Sequence, residues 1–303
     1  MTRAILFAYS EIGTVALEEL TALPGVEVAL LFTHEDDPEE TIFFRTPASL
    51  ARERGIPVRT DDPNAPGAIG EIRALAPDLI LSAYYRSLIA EETLGIPRLG
   101  AFNLHGSLLP KYRGRAPINW AVLRGETETG VTLHVMTGRA DAGDIVDAER
   151  VPIGPEETAH QVFLRMVPAS RALFRRALPL LLEGRAPRTP QDESAATRFG
   201  RRRPEDGRID WGRPAREIHD LVRAVAPPYP GAFATLPDGT PLRILRTRLL
   251  PDGGSSPASP TGPGRILSLV PFRVVAGDGR TLEILDPTGG DVPERLRIGD
   301  VLR

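Results

Sequence analysis

Asn103 and His105 stand two residues apart in the stretch Gly100-Ala101-Phe102-Asn103-Leu104-His105-Gly106-Ser107-Leu108-Leu109-Pro110. On a β-strand, that spacing puts both side chains on one face. Ala101 and Phe102 extend the strand backward, and Gly106 and Pro110 end it. An amide and an imidazole thus emerge together where a strand meets its loop, the end at which clefts open in α/β sheets. The amide NH₂ can donate to an oxygen that turns negative in a tetrahedral intermediate. The imidazole can move a proton near neutral pH. This is the equipment of acyl transfer. Two satisfied polar residues at a strand end fit the same spacing, and the pair alone does not separate the two readings.

A second stretch adds to it. Met136-Thr137-Gly138-Arg139-Ala140-Asp141-Ala142-Gly143-Asp144-Ile145-Val146 follows the next strand-like run. It reads as a glycine-flanked loop carrying an acid. An aspartate beside a histidine favours the imidazolium. Asp141 also fits a turn residue that caps its own backbone. Read together, Asn103, His105 and Asp141 make an oxyanion donor, a proton carrier and an orienting acid.

These groups need a scaffold. Strand-like runs fall at residues 4–9, 26–32, 56–59, 79–82, 100–104 and 131–136. Helical patterns cover residues 15–20, 47–54, 69–75 and 118–123, with Gly55 as a C-cap and Pro117 as a helix start. Such alternation predicts a Rossmann-like α/β domain, a parallel sheet with helices on both faces. Residues 158–182 continue as a long helix that Pro168 should kink or break. Strand-like runs at residues 231–236, 242–250, 264–269, 272–276 and 281–285, parted by turn signals, predict a small all-β C-terminal domain. Residues 251–264, rich in Pro, Gly and Ser, are expected to form a mobile surface loop. The expected division is a catalytic domain at 1–190, a linker at 191–203 and a β domain at 204–303. The first turn, Ala8-Tyr9-Ser10-Glu11-Ile12-Gly13, lacks the glycines of a dinucleotide fingerprint.

Composition narrows the function further. The chain has 303 residues, of which 41% are hydrophobic and 25% charged, enough for two globular domains. There is no cysteine, so disulfides, thiolate nucleophiles and cysteine metal sites are excluded, and no metal is expected. The net charge of −3 asks for no nucleic-acid partner. The apolar run after Met1-Thr2-Arg3 is too short for a signal segment. No stretch has the length to cross a bilayer. A cytoplasmic protein without membrane insertion is expected. Lys111 is the only lysine, so arginine clusters carry less functional weight here than usual.

Asn103-x-His105, Ser107-Leu108-Leu109-Pro110, Tyr112-Arg113-Gly114-x-Ala116-Pro117 and Asp141-x-Gly143 occur in this order. The combination resembles the folate-dependent formyltransferase family, which includes methionyl-tRNA, glycinamide ribonucleotide and amino-sugar formyltransferases. The resemblance spans essentially the whole chain. Phe7-Ala8-Tyr9, Phe32-Thr33-His34, Tyr84-Tyr85-Arg86 and Phe199-Gly200-Arg201-Arg202 narrow it. They are similar to the formyltransferase domain of the bifunctional enzyme of 4-amino-4-deoxy-L-arabinose lipid A modification. No decarboxylase domain follows in this chain, so formylation alone is implied. The resemblance implies an OB-like β-barrel as the second domain. It implies that Asn103 stabilises the oxyanion, His105 transfers the proton and Asp141 tunes His105. It places the donor, 10-formyltetrahydrofolate, against Ser87, Leu88, Ile89, Arg115, Thr137, Gly138, Arg139 and Ala140. Ser87 is smaller than the pattern leads one to expect.

The acceptor amine is less constrained. A tRNA reader needs a broad basic face. Arg198, Arg201, Arg202, Arg203 and Arg208 form a basic cluster, but acids and bases balance over residues 204–303. The stretch His34-Glu35-Asp36-Asp37-Pro38-Glu39-Glu40 is acidic and would repel tRNA if it lies near the cleft. A nucleotide-linked amino sugar needs only a few cations for its diphosphate. Arg201 and Arg202 suit that role, with Tyr84, Tyr85, Trp211 or Tyr229 to stack on base or sugar. Solvated arginines and a core Trp211 fit the same residues. UDP-4-amino-4-deoxy-L-arabinose or a related nucleotide-linked amino sugar is the expected substrate, with methionyl-tRNA as the competing one.

Overall fold

The computed structural model describes residues 1–38, 41–250, 262–288 and 296–303. Glu39 and Glu40 of the acidic stretch lie outside the described residues, as does most of the loop expected at 251–264. The chain divides into two compact units. Unit 1 comprises Met1–Pro117, Glu128–Pro152 and Phe163–Gly200, and unit 2 comprises Ile118–Thr127, Ile153–Val162 and Arg201–Arg303.

Unit 1 is built on a seven-stranded sheet. Its strands are β1 (Thr2–Ala8), β2 (Val26–Phe32), β3 (Val58–Arg59), β4 (Leu79–Ala83), β5 (Gly100–His105), β7 (Glu128–Val135) and β8 (Ile145–Pro152). The order is β3-β2-β1-β4-β5-β7-β8. Helices α1 (Ser10–Ala22), α2 (Pro47–Glu53), α3 (Pro66–Leu75) and the short α4 (Glu91–Leu94) connect the parallel strands. The central strands carry apolar runs because helices and loops cover both faces. Phe7 stacks on Phe32 with ring centroids 4.8 Å apart, in a core with Ile5, Leu30, Ile72, Ile80 and Ile89.

The sheet is mixed, where strand–helix alternation predicts a parallel one. β5 pairs antiparallel with β7, and β7 with β8. Residues 136–144 alone join β7 to β8, and a parallel crossover needs a dozen or more residues. β8 escapes the sequence reading because Asp147, Glu149 and Arg150 interrupt its apolar pattern on an edge strand.

The helix at residues 158–182 is observed as α6 (Ala159–Leu182), which continues through both Pro168 and Pro179. A break at Pro168 is therefore not seen. Phe163, Met166, Leu173, Phe174 and Leu181 along it are buried, and that burial outweighs the lost backbone hydrogen bonds.

Among its described residues, unit 2 contains an antiparallel sheet of order β10-β11-β14-β13-β12. The strands are β10 (Ala232–Thr235), β11 (Pro241–Leu249), β12 (Ile266–Leu269), β13 (Phe272–Val275) and β14 (Thr281–Thr288). It is not all-β. Helix α7 (Ala215–Val225) packs on β11, burying Ile218, His219 and Val222. Its buried Ala215, Ile218, Val222 and Val225 recur at helical spacing with charged residues on the other face, so the sequence carries this period although the all-β expectation left the helix out. Helix α5 (Pro117–Leu123) starts at the expected proline, and two further elements matter below: the short strands β6 (Arg113–Gly114) and β9 (Arg198–Phe199), which pair in parallel.

Phe32 is fully buried in the unit 1 core. Phe32→Ala should cost about 3–5 kcal/mol of unfolding free energy. Urea denaturation followed by circular dichroism checks this, and a cost below about 1 kcal/mol would contradict the packing described.

Candidate active site

The strand order reverses between β1 and β4: β2 and β3 lie on one side, β5 on the other. Crevices open at the carboxyl ends of strands at such a point. The Tyr9 N–H donates to the Ala83 carbonyl there, 3.2 Å away, closing the floor. Tyr84 follows β4 directly and takes a left-handed conformation with φ +57°. Its ring packs against Gly106, where a Cβ would run into the tyrosine hydroxyl.

β5 delivers Asn103 and His105 one strand further on. The register of β5 with β7 sets Asn103 opposite His134 and His105 opposite Thr132. Asn103 Nδ2 lies 3.0 Å from His134 Nε2. His134 Nδ1 lies 2.8 Å from the Val135 carbonyl, which only accepts, so Nδ1 carries the hydrogen. In the neutral ring Nε2 is then an acceptor, and it takes one N–H of Asn103. The second N–H of that amide is left to donate elsewhere. His134 thereby fixes which end of the Asn103 amide is nitrogen.

The loop after β5 turns back on itself. Ser107 Oγ donates to the Lys111 carbonyl at 2.6 Å, and Thr132 Oγ1 donates to the Ser107 carbonyl at 2.7 Å. This brings the Tyr112 carbonyl to 2.8 Å from His105 Nε2. The carbonyl requires a hydrogen on Nε2. The other ring nitrogen, Nδ1, faces Asp141 Oδ1 at 3.5 Å. A carbonyl on one side and a carboxylate on the other suit an imidazole able to hold and release a proton.

Asp141 reaches His105 because the loop after β7 folds back over the sheet. Its Oδ1 also lies 3.6 Å from His134 Nε2, and its Oδ2 accepts the Gly114 N–H at 2.8 Å. Both imidazole distances exceed ordinary hydrogen-bond length, so they act mainly as electrostatic contacts. Burial alone would disfavour the ionised carboxyl. The neighbouring His105 ring and the Gly114 N–H overcome it and hold Asp141 well below the usual carboxylate range. Asp141 itself sits at φ +57°, and Tyr112 and Ala116 at +59° and +50°. Non-glycine residues rarely adopt this region, which costs about 1–3 kcal/mol each, and such strain gathers at functional sites. A Cβ on Gly143 would collide with the Val135 carbonyl oxygen, so the loop needs glycine there.

The structure thus brings Asn103, His105 and Asp141 together in unit 1. The residues expected around the donor differ in their surroundings, and Ile89 is a core residue where a donor-lining one was expected. Ser87 is exposed, Leu88 is 73% exposed and Ile89 is packed in the core. Arg115 Nη1 donates to the Arg86 carbonyl at 2.7 Å. Gly138 lies tight against the Glu91 side chain, so the loop of Thr137, Gly138, Arg139 and Ala140 approaches the segment that follows Ile89. Tyr85 stacks on His34 with centroids 4.3 Å apart, and burial pushes its hydroxyl up to about 12. Burial, with Arg86 and Arg115 nearby, lowers the His34 pKa to about 4, so its neutral ring accepts the Arg86 N–H at 2.9 Å. In unit 2, Trp211 is buried at 4% exposure. The Tyr229 hydroxyl is pushed up to about 12 by burial despite its bond to Asn119. Arg202 lies over the Trp120 ring at 4.8 Å, and Arg201 is exposed.

Three contributors escape the sequence reading. His134 stands in a run read simply as a strand, and its signal is a lone histidine among apolar neighbours. The Tyr112 carbonyl and Gly114 N–H are backbone groups and leave no side-chain signature. Among the described residues, no group of three or more His, Asp or Glu is placed to hold a metal ion. No described helix is long and apolar enough to cross a membrane.

Residues 10–178 match the formyl transferase family, and residues 202–287 match the formyl transferase C-terminal domain. The chain belongs to the formyl transferase family. It is a folate-dependent formyltransferase, an enzyme of one-carbon group transfer.

Similar solved structures include an N-formyltransferase from Helicobacter canadensis in complex with folinic acid and dTDP-3-aminofucose. It is 19% identical, with a TM-score of 0.73 over 94% of this chain and 99% of that one. A 4-N formyltransferase from Francisella tularensis is 21% identical, with a TM-score of 0.63 over 79% of this chain and 95% of that one. At such identities the likeness speaks for the fold.

The depressed Asp141 pKa has a consequence for stability. A carboxyl with a lowered folded-state value stabilises the fold above its unfolded value, near pH 4, and loses that contribution as pH falls toward the folded value. The stability difference between wild type and Asp141→Asn should therefore shrink as pH falls below about 4. Urea unfolding from pH 7 to 3 measures it. A difference that stays constant to pH 3 would mean Asp141 is not held ionised.

Proposed function

We propose that the protein transfers the formyl group of 10-formyltetrahydrofolate to the amine of a nucleotide-linked amino sugar, with UDP-4-amino-4-deoxy-L-arabinose as the leading acceptor. The observation that carries the reading is the convergence of the Asn103 amide, the His105 imidazole and the Asp141 carboxylate within one site.

The donor supplies an activated formyl carbonyl. Asn103, with one N–H spent on His134, gives its other to the carbonyl oxygen as negative charge gathers there. His105, oriented by the Tyr112 carbonyl and Asp141, carries the proton that leaves the attacking amine and returns it to the departing folate nitrogen. The exposed Leu88 side chain, and the backbone of residues 137–140 close to Glu91, suit a flat ring that needs an apolar wall and polar edges.

The acceptor reading rests on charge. Tyr9 donates its hydroxyl to Asp36 Oδ1 at 2.7 Å, and His34 accepts from Arg86. These bonds hold the described part of the acidic stretch at the carboxyl edge of the sheet, beside Tyr84 and Tyr85. Carboxylates there oppose a tRNA backbone while tolerating a small diphosphate. The similar N-formyltransferase from Helicobacter canadensis, in complex with dTDP-3-aminofucose, supports the same choice.

Two measurements test the proposal. Purified protein is mixed with 10-formyltetrahydrofolate and either UDP-4-amino-4-deoxy-L-arabinose or initiator methionyl-tRNA, and free tetrahydrofolate is followed. Release with the sugar nucleotide is expected, and release with tRNA alone would overturn the acceptor. Asn103→Ala should keep donor binding and lose roughly 10²–10³ in kcat. Near-wild-type turnover in that variant would remove Asn103 from the mechanism.

A further inference from the structure

Asp141 acts only if its left-handed backbone stays in place, and one side chain far along the sequence grips that backbone. Gln191 Nε2 donates to the Asp141 carbonyl at 3.0 Å and to the Gly143 carbonyl at 2.7 Å. A primary amide has two N–H groups, and both are spent on this loop. The Gln191 Oε1 accepts from Arg113 Nη2 at 2.7 Å and from Nε at 3.2 Å. Arg113 can only donate, so it fixes the amide with its nitrogen toward the loop. Arg113 is itself 3% exposed, and its guanidinium pairs with Glu193 at 2.8 Å.

The arrangement closes on itself. Tyr112, Arg113 and Gly114 are consecutive. The Tyr112 carbonyl faces His105, the Arg113 side chain anchors Gln191, and the Gly114 N–H holds the Asp141 carboxylate. Pairing of β6 with β9 and stacking of Tyr112 on Phe199, centroids 5.2 Å apart, lash residues 191–199 to this turn. Arg198 Nη2 adds a bond to the Ala140 carbonyl at 3.1 Å. A stretch that reads in the sequence as a linker thus forms a strap over the loop that bears Asp141.

We propose that Gln191 is a positioning residue for the reaction: its two N–H groups hold Asp141 in the conformation that presents the carboxylate to His105. Neither a carboxylate nor a thioether replaces it, since neither offers hydrogens to two carbonyl oxygens. The proposal rests on the reading of Asp141 as a participant in formyl transfer.

The test is a double-mutant cycle in the full-length protein, with the amine acceptor that supports turnover. Gln191→Met keeps the length of the side chain and removes both donors. It should lower kcat by roughly tenfold or more, the scale on which orienting partners of reactive groups act. The KM for the acceptor should stay near wild type, while the thermal midpoint should fall by a few degrees because Arg113 loses its acceptor. Added to Asp141→Asn, Gln191→Met should cost little more, because its effect passes through a carboxylate already gone. Gln191→Glu should be as slow as Gln191→Met, which separates loss of the two donors from loss of bulk. An undiminished kcat in Gln191→Met, or losses that multiply in the double variant, would overturn the proposal. An undiminished kcat in Asp141→Asn alone would instead overturn the reading of Asp141.

Discussion

A carboxylate buried between two imidazoles is the constraint on which the site depends. Removing an ionised group from water is costly unless fixed partners replace the water. Asp141 has the His105 ring facing one oxygen and the Gly114 N–H on the other, with His134 close by. Each partner must be held where it is, and the surrounding loops do little else. Tyr112 turns a carbonyl to His105, and Val135 turns one to His134. The left-handed residues Tyr112, Ala116 and Asp141 show what this costs in backbone strain.

The change of direction in the sheet makes the arrangement possible. In a wholly parallel sheet the loop after β7 would leave from the same edge as the loop after β5. Because β7 runs antiparallel to β5, its C-terminal end lies beside Phe102, and residues 137–143 must fold back across the face that carries Asn103 and His105. The same reversal sets His134 directly opposite Asn103. One topological feature thus supplies both the partner that orients the amide and the acid that faces the imidazole. Family membership says which group is transferred, and this geometry shows which side chains meet at the carboxyl end of β5.

Much of the scaffold was legible because its signals are local. The strand at residues 26–32 and the helix beginning at Pro47 appear where apolar period, proline and glycine place them. Strand β8 was not legible, because Asp147, Glu149 and Arg150 interrupt the alternation that marks a strand, whereas helix α7 carries a clear helical period that the expectation of an all-β domain left out. At Pro168, where a kink or a break was expected, α6 shows no break. The local cost of the proline is real, but burial along the rest of α6 exceeds it.

The site divides along the same line. The sequence by itself determined that Asn103 and His105 share a face, since alternation along a strand is a property of neighbouring residues. It also offered Asp141 as an acid in a glycine-flanked loop, without deciding where that acid points. Only the tertiary structure decided that Asp141 meets His105, that His134 orients Asn103, and that Gln191 holds the loop. The contacts that decide it join residues 27, 31 and 50 positions apart. Contacts at that range depend on strand direction and register, and no local pattern encodes them.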